Sequence, residues 1–530
     1  MKKIYLMLAL VAGLLSSCNM DKEPYGTLSD GDTFQTPSNF VAARAGLYVA
    51  LRSCVGGETN FVAPELQCDY FNAVSGFSNT LSTMYRWEFT TDDGVFSGMY
   101  GSAQGTITRC NFIIDGYNKT DFSNTNIWDP NPSASSGEDE TDLGLPAAKK
   151  AKGDAFFTRA YAIFMLAQYF CEAYDPATAD QPNTGASYTL TYEPSVSSDK
   201  YPGRNTLKQT YQQIYDDLDS ASVYVTTTPE ANNPYISVDA ITALRARVAL
   251  AKGDYELARD EATLLIESGT YALCSSAADL TAMYMYDGVN LGMGAATGTS
   301  EAIFQLISAS SSELPSATGT RFQPYQDGSV PDYIPTRTFV DMFSNNDFRR
   351  SVYFNQIYVM TTAGAGGTVY AFNKYPDHGF LYQYTSGSES SRFNHMPNVF
   401  RIAEMYLIAA EASAMMGDLD EGAYYLEALQ ANRFEGYEAP EFSSQEELMQ
   451  EIKNERSREL VCEGFHLTDL KRWHDGFSRG VPQQRDLCSL PGSSTTDMVV
   501  PADDPRLTWP IPKHEMNVNH QMIQNKGYSK

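Results

Sequence analysis

The sequence predicts a mainly α fold, a scaffold of helical hairpins interrupted by large irregular loop insertions. Three observations predict it. Alanine-rich segments carry apolar residues at helical spacing: Leu244, Val248 and Ala251, then Leu257, Ala258, Ala262 and Leu265. Gly-Asp pairs at Gly253-Asp254 and Gly417-Asp418 punctuate these segments, so that one helix turns back on the next. Long stretches rich in Ser, Asn, Gly and Tyr separate the hairpins and show little helical period. Hydrophobic residues at 42% and charged residues at 19% supply ample core and exclude disorder. The chain has 530 residues, with 65 acidic side chains against 38 basic and a net charge of −27. That balance argues against nucleic acid, because phosphate binding needs clustered Lys and Arg.

The first element is a targeting segment. Lys2 and Lys3 form a basic start, Ile4 to Leu14 is a short apolar run, and Leu15-Ser16-Ser17 leads into Cys18. The run is too short to span a membrane and reads as a secretory signal over residues 1–17. Leu-Ser-Ser-Cys resembles a bacterial lipobox, in which Cys18 is acylated and becomes the mature N-terminus; the alternative is an ordinary signal peptide ending near a cysteine. Cleavage removes Lys2 and Lys3 and leaves 513 residues with a charge of −29. Acyl chains would hold such a chain on a membrane without crossing it.

The hairpins follow in order. Gly153-Asp154 precedes an apolar helix predicted over Ala155–Tyr174, within a helical region of roughly 146–174. The region of roughly 206–267 contains the clearest hairpin, Asp239 to Ile266. Arg401–Asn432 repeats the design, and Ser444–Trp473 is predicted as another pair broken near Gly464, together spanning roughly 399–475. These hairpins resemble tetratricopeptide repeats, but Gly253 and Gly417 lie 164 residues apart, so they are dispersed rather than tandem. Ser123–Pro146 and Asp175–Asn205 are polar and predicted to be exposed. Residues 280–398 hold ten Tyr and nine Phe, 16% against 12% for the whole chain. Loops on a rigid scaffold are where binding usually resides.

Several motifs invite chemistry and have structural alternatives. Gly476-Phe477-Ser478-Arg479-Gly480 matches a nucleophile elbow, which needs a preceding strand and a following helix, but here a charged helical segment precedes it. Glycosidase chemistry needs two carboxylates at a fixed separation. Asp92-Asp93, Asp216-Asp217 and Glu455 with Glu459 are the candidates, and only the last pair shares a helix face. Arg456 and Arg458 lie among them, which favours structural ion pairs. The six histidines show no metal-ligand spacing, so neither a metal nor a cofactor is expected. Besides Cys18 there are seven scattered cysteines, at 54, 68, 110, 171, 274, 462 and 488. An odd number leaves at least one unpaired within the chain; Cys54 and Cys68 could bridge a local loop, and most read as small buried hydrophobes.

The lipobox, ALRARVALAKGDYELARDEATLLIESGTYAL, FRIAEMYLIAAEASAMMGD, NERSRELVCEGFHLTDLKRW and the tail WPIPKHEMNVNHQMIQNKGY together resemble the SusD/RagB family. The tail is the most telling part, with Pro510-Ile511-Pro512, Asn519, Gln524-Asn525 and Gly527-Tyr528 following the family's C-terminal pattern. The resemblance implies one SusD-like domain over residues 18–530. It implies a lipid-anchored outer-membrane protein facing the cell surface and partnered with a SusC-like TonB-dependent transporter. Its role would be to capture a nutrient oligosaccharide, or a peptide as in RagB-like homologues. The ligand region it implies falls in loops at roughly 60–100 and 280–398, the latter including the Asp-x-Arg-like segment Asp347–Arg350. Within these, Tyr70, Asn72, Trp87, Phe322, Tyr325 and Tyr333 are the expected ligand contacts, since flat rings stack on sugar faces while amides bind hydroxyls. Tyr325 and Tyr333 lie in Pro/Gly-rich sequence that favours exposure. No catalytic residue is expected. A surface glycoside hydrolase is the competing hypothesis, and a tetratricopeptide adaptor without a binding pocket is the third.

Overall fold

The computed structural model describes residues 33–129, 143–193, 197–286, 299–307, 318–324, 330–377, 393–488 and 498–529. The signal segment and Cys18 lie outside the described residues. The longer helices are α1 (Pro37–Cys54), α2 (Gly94–Lys119), α3 (Gly144–Phe170), α4 (Leu207–Tyr224), α5 (Val238–Lys252), α6 (Tyr255–Glu267), α7 (Ala277–Met285), α8 (Ile402–Met415), α9 (Leu419–Ala431), α10 (Gln445–Leu460) and α11 (His466–Trp473). Helix α3 packs against α1, α2 and α4, and the stack continues through α5, α6, α8, α9 and α10. The mainly α expectation holds.

The hairpin signals act as predicted. Ser237 caps α5 by accepting from the Ala240 amide, and Gly253 ends it in the left-handed conformation at φ 77°. Asp418 caps α9 after Gly417 turns at φ 88°. Alanines 240, 243, 246 and 249 of α5, 258 and 262 of α6, and 409, 410 and 412 of α8 are fully buried. Small side chains let these helices approach closely.

Gly153-Asp154 is a correction, because both residues lie inside the single 27-residue helix α3. A Cβ on Gly153 would meet the Tyr224 Cβ at 2.9 Å, so the glycine admits α4 rather than breaking a helix. Asp154 is fully buried and accepts from Arg44 Nε at 2.6 Å and the Tyr48 hydroxyl at 2.8 Å. A charged residue beside a glycine therefore marks a contact between helices here.

The strands are short and pair two by two: β1 (Phe71–Ala73) with β3 (Tyr333–Pro335), β2 (Ala302–Gln305) with β6 (Asn398–Arg401), β4 (Phe354–Met360) with β5 (Gly366–Phe372), and β7 (Phe477–Ser478) with β8 (Val499–Val500). All four pairs are antiparallel. Residues 280–398, expected to be irregular, thus contain a regular hairpin whose register places Gln356 opposite Tyr370 and Tyr358 opposite Thr368. No helix among the described residues is long and apolar enough to cross a membrane.

Candidate functional site

Five of the six expected ligand contacts are core residues. Tyr70 is 8% exposed, its ring stacked between Phe339 at 4.4 Å and His466 at 4.2 Å, and its hydroxyl donates to Ser457 Oγ. Trp87, also 8% exposed, packs on Phe89 and Phe477 under the Arg506 guanidinium and donates Nε1–H to the Gln67 carbonyl. Phe322 lies fully buried between Phe71 and Phe372. Tyr333, expected on an exposed loop, is fully buried on β3 between Phe77 and Tyr85 and donates to the Thr80 carbonyl at 2.6 Å. Asn72 is fully buried on β1 opposite Ile334, and its side-chain amide makes no hydrogen bond among the described residues. These rings have no free face for a sugar, because partners distant in sequence cover them. Tyr325 lies outside the described residues.

An open cleft does exist nearby. About 400 Å³ in volume, it is lined by Asn345, Asn346, Arg350, Gln356, Tyr370 and Glu435, with Phe348 and Phe354 supplying apolar wall. Tyr370 is held at both backbone groups by Gln483, which accepts from its amide and donates to its carbonyl, each at 2.9 Å. The Arg350 guanidinium lies 5.3 Å from the Tyr370 ring centroid. Its Nη1 donates to the Val340 and Phe343 carbonyls, which fixes the plane of the group. Hydrogen bonding from Arg350, then Gln356, holds the Tyr370 phenol below its ordinary pKa. Asn346 and Glu435 are joined backbone to backbone at 2.8 Å and form another part of the rim.

The cleft stands over a buried charge network. Arg349 Nη1 binds Glu455 and, at 2.9 Å, Glu459, while Nη2 binds Asp347 at 2.8 Å. Arg401 binds Glu301 at 2.6 Å, Glu459 at 2.8 Å and Glu463 at 2.7 Å. Arg433 binds Glu301 at 3.0 Å and Glu459 at 2.9 Å. Arg458 adds a bond to Glu455, and Lys374 one to Glu463. Burial alone would raise the Glu459 pKa, but Arg433, Arg401 and Arg349 outweigh it and hold the group well below the ordinary carboxylate range. Asp347 and Arg349 thereby fasten the cleft loop to α10.

The same contacts dispose of the glycosidase pairs. Glu455 and Glu459 are fully buried and bound by arginines. Asp217 binds Arg159, Asp93 caps α2, and Asp92 pairs with Lys513. Ser478 lies on the two-residue strand β7 with no helix after it, which is not a nucleophile elbow. All seven described cysteines are free and buried, so the Cys54–Cys68 bridge is absent. A second cavity, about 60 Å³, lies among α3, α5, α10 and α11; it has room for a few waters but not a sugar ring.

Two family models match the chain. One, described as the SusD family, matches residues 267–528, and the other, described as starch-binding associating with outer membrane, matches residues 68–250. The chain belongs to the SusD family. Solved structures share the fold. A SusD superfamily protein from Bacteroides vulgatus aligns with TM-score 0.71 at 22% identity, covering 94% of this chain and 100% of its own. One from Bacteroides thetaiotaomicron gives 0.71 and 22%, covering 92% and 99%. A SusD-like carbohydrate binding protein from Bacteroides vulgatus gives 0.69 and 17%, covering 94% and 99%. A comparison with curated proteins returns no match.

In this SusD-family chain the C-terminal signature residues are structural. Trp509 is fully buried; its amide donates to the Tyr169 carbonyl and its Nε1–H to Gln67 Oε1, each at 2.7 Å. Gln524 bonds both backbone groups of Ile511, and Asn525 Nδ2 donates to the Phe170 and Trp509 carbonyls. Tyr528 closes on the Thr508 carbonyl at 3.0 Å. The block clasps the end of α3 and lines no part of the cleft. Sequence reasoning missed Tyr370 and Gln356 and reached Arg350 only as the end of the Asp347–Arg350 segment, although the period-2 alternation of FNQIYVM could have marked Gln356 and Tyr358 as outward-facing.

Proposed function

We propose that this chain captures an oligosaccharide at the outer membrane and passes it, uncut, to a SusC-like TonB-dependent transporter, with Cys18 acylated as its anchor and the chain facing the cell surface. The observation that carries the reading is Tyr370 at a 400 Å³ cleft lined with amides. A half-exposed ring gives a sugar an apolar face to stack on, and Asn345, Asn346 and Gln356 offer donors and acceptors to its hydroxyls. Family membership and the starch-binding description of residues 68–250 support a carbohydrate over a peptide. The binding of Glu455, Glu459, Asp217, Asp92 and Asp93 by basic or backbone groups supports capture without cleavage. Affinity electrophoresis of the purified protein through polysaccharide-containing gels tests it. Retardation that disappears in Tyr370→Ala, with no new reducing ends formed, is the expected result. Cleavage of any retained polymer would overturn the non-enzymatic reading.

A further inference from the structure

Arg350 is a cation of unusual setting in a chain where acids outnumber bases. Its neighbour Arg349 and the nearby Arg401, Arg433 and Arg458 each hold carboxylates. Arg350 holds two backbone carbonyls through Nη1 and hydrogen-bonds the Tyr370 hydroxyl, and no carboxylate stands within ion-pair distance of it among the described residues. The edge that remains keeps two N–H donors in the plane of the group for a ligand. Of the acids lining the same cleft, Asp347 is bound by Arg349, while Glu435 stands with Asn346. Arg337, also near Tyr370, is weakly paired with Asp341 at 3.9 Å. The cleft therefore offers a fixed guanidinium beside an aromatic ring, and an exposed carboxylate elsewhere on its rim.

We propose that the cleft selects an acidic saccharide, with Arg350 binding the carboxylate of a uronic acid residue whose ring stacks on Tyr370 and whose hydroxyls reach Glu435 and the Asn345–Asn346 amides. The proposal rests on the carbohydrate-capture reading and adds the ligand class. A planar guanidinium matches a carboxylate in bidentate fashion, and anchoring by two carbonyls reduces the entropy lost on binding. A neutral sugar would leave that donor edge without a charged partner. Net protein charge does not oppose this, because a pocket's local field differs from the sum over the surface.

Native gels containing polygalacturonate, carboxyl-reduced polygalacturonate, starch or galactomannan test the proposal with the full chain in mild detergent. Polygalacturonate is expected to retard the protein, its reduced counterpart not to, and added NaCl to weaken the retention. Arg350→Gln is expected to weaken binding on the order of tenfold or more. The comparison of native with reduced polymer needs no variant, so it decides even if Arg350→Gln fails to fold. Equal retention by both forms, no retention by polygalacturonate, or unchanged binding in folded Arg350→Gln overturns the proposal. Tyr370-dependent retention by starch or galactomannan alone would overturn acid selectivity while leaving oligosaccharide capture standing. No retention by any polymer would overturn both.

Discussion

Glu455 sits where burial alone would neutralise a carboxylate, yet Arg349 and Arg458 hold its pKa at about 2, below the ordinary 4.5. A folded-state pKa below the unfolded value stabilises the protein above the unfolded pKa, and that contribution is lost as pH falls toward the folded value. The gap corresponds to about 3 kcal/mol. Glu455→Gln is therefore expected to lower unfolding free energy at pH 7 by about 3 kcal/mol, a difference that shrinks toward pH 3 as the carboxylate of the unfolded wild-type chain protonates. Urea titrations at both pH values check this; a gap that is independent of pH would show that the charge is not what Glu455 contributes. Glu463 in the same network shifts in the same direction, as does Asp469, which Arg456 and Arg472 bind in a separate cluster. Tyr370 makes the complementary case. Its ring lies at the edge of the core, with Phe354 at 6.4 Å, so Tyr370→Ala is expected to lower the melting temperature only slightly while weakening glycan binding roughly thirtyfold. Tyr333→Ala should do the reverse, losing about 3–5 kcal/mol of stability because it empties a packed aromatic cluster. Calorimetric melting with titration of the retained glycan separates the two.

The helical elements were legible in the sequence wherever a local signal was sufficient. Gly253 and Gly417 turn their hairpins because the left-handed conformation is local chemistry, visible as Gly-Asp after an apolar period. Gly153 carries the same letters and does something else, since its role depends on Tyr224, about seventy residues away. Helix α2 is not legible locally for a related reason: it contains Gly94, Gly98, Gly101, Gly105 and Gly116, poor helix formers that only tertiary packing overrides. Exposure in the ring-lined loops is not legible in sequence, because it is decided by what folds over a residue. Gly464, the break legible in sequence between α10 and α11, supplies a test. It has φ 85°, and an added Cβ would meet the Asn60 carbonyl oxygen at 3.0 Å, whereas at Gly253 the nearest atom is 3.9 Å away. Gly253→Ala is expected to cost about 1–2 kcal/mol from the left-handed conformation alone. Gly464→Ala should cost more, because backbone must also shift. Chemical denaturation of both variants checks the order, and equal losses would place the whole effect in local conformation.

At the scale of the whole molecule, two devices join the loop-rich face to the helical stack. The charge network ties β2, the cleft loop, β6 and the end of α9 to α10, and the C-terminal clasp ties the tail to α3. Both fasten loops to packed helices, which is what the proposed capture role asks of a protein that presents a ligand. No described helix is long and apolar enough to cross a bilayer, so the proposed attachment is assigned to another segment. The lipobox ending at Cys18 supplies the candidate. Buried acyl carbons contribute about 0.8 kcal/mol each, and stable anchoring takes more than one chain, so loss of the acylated residue removes the attachment rather than weakening it. Cys18→Ala is expected to move the protein from the membrane pellet to the soluble fraction while leaving the fold and the cleft intact. The measurement belongs in cells lacking the transporter, where protein–protein docking cannot substitute for lipid. Continued pelleting of Cys18→Ala with membranes in those cells would refute the anchor. Soluble Cys18→Ala that still binds the same glycan as wild type would show that capture and attachment are separable.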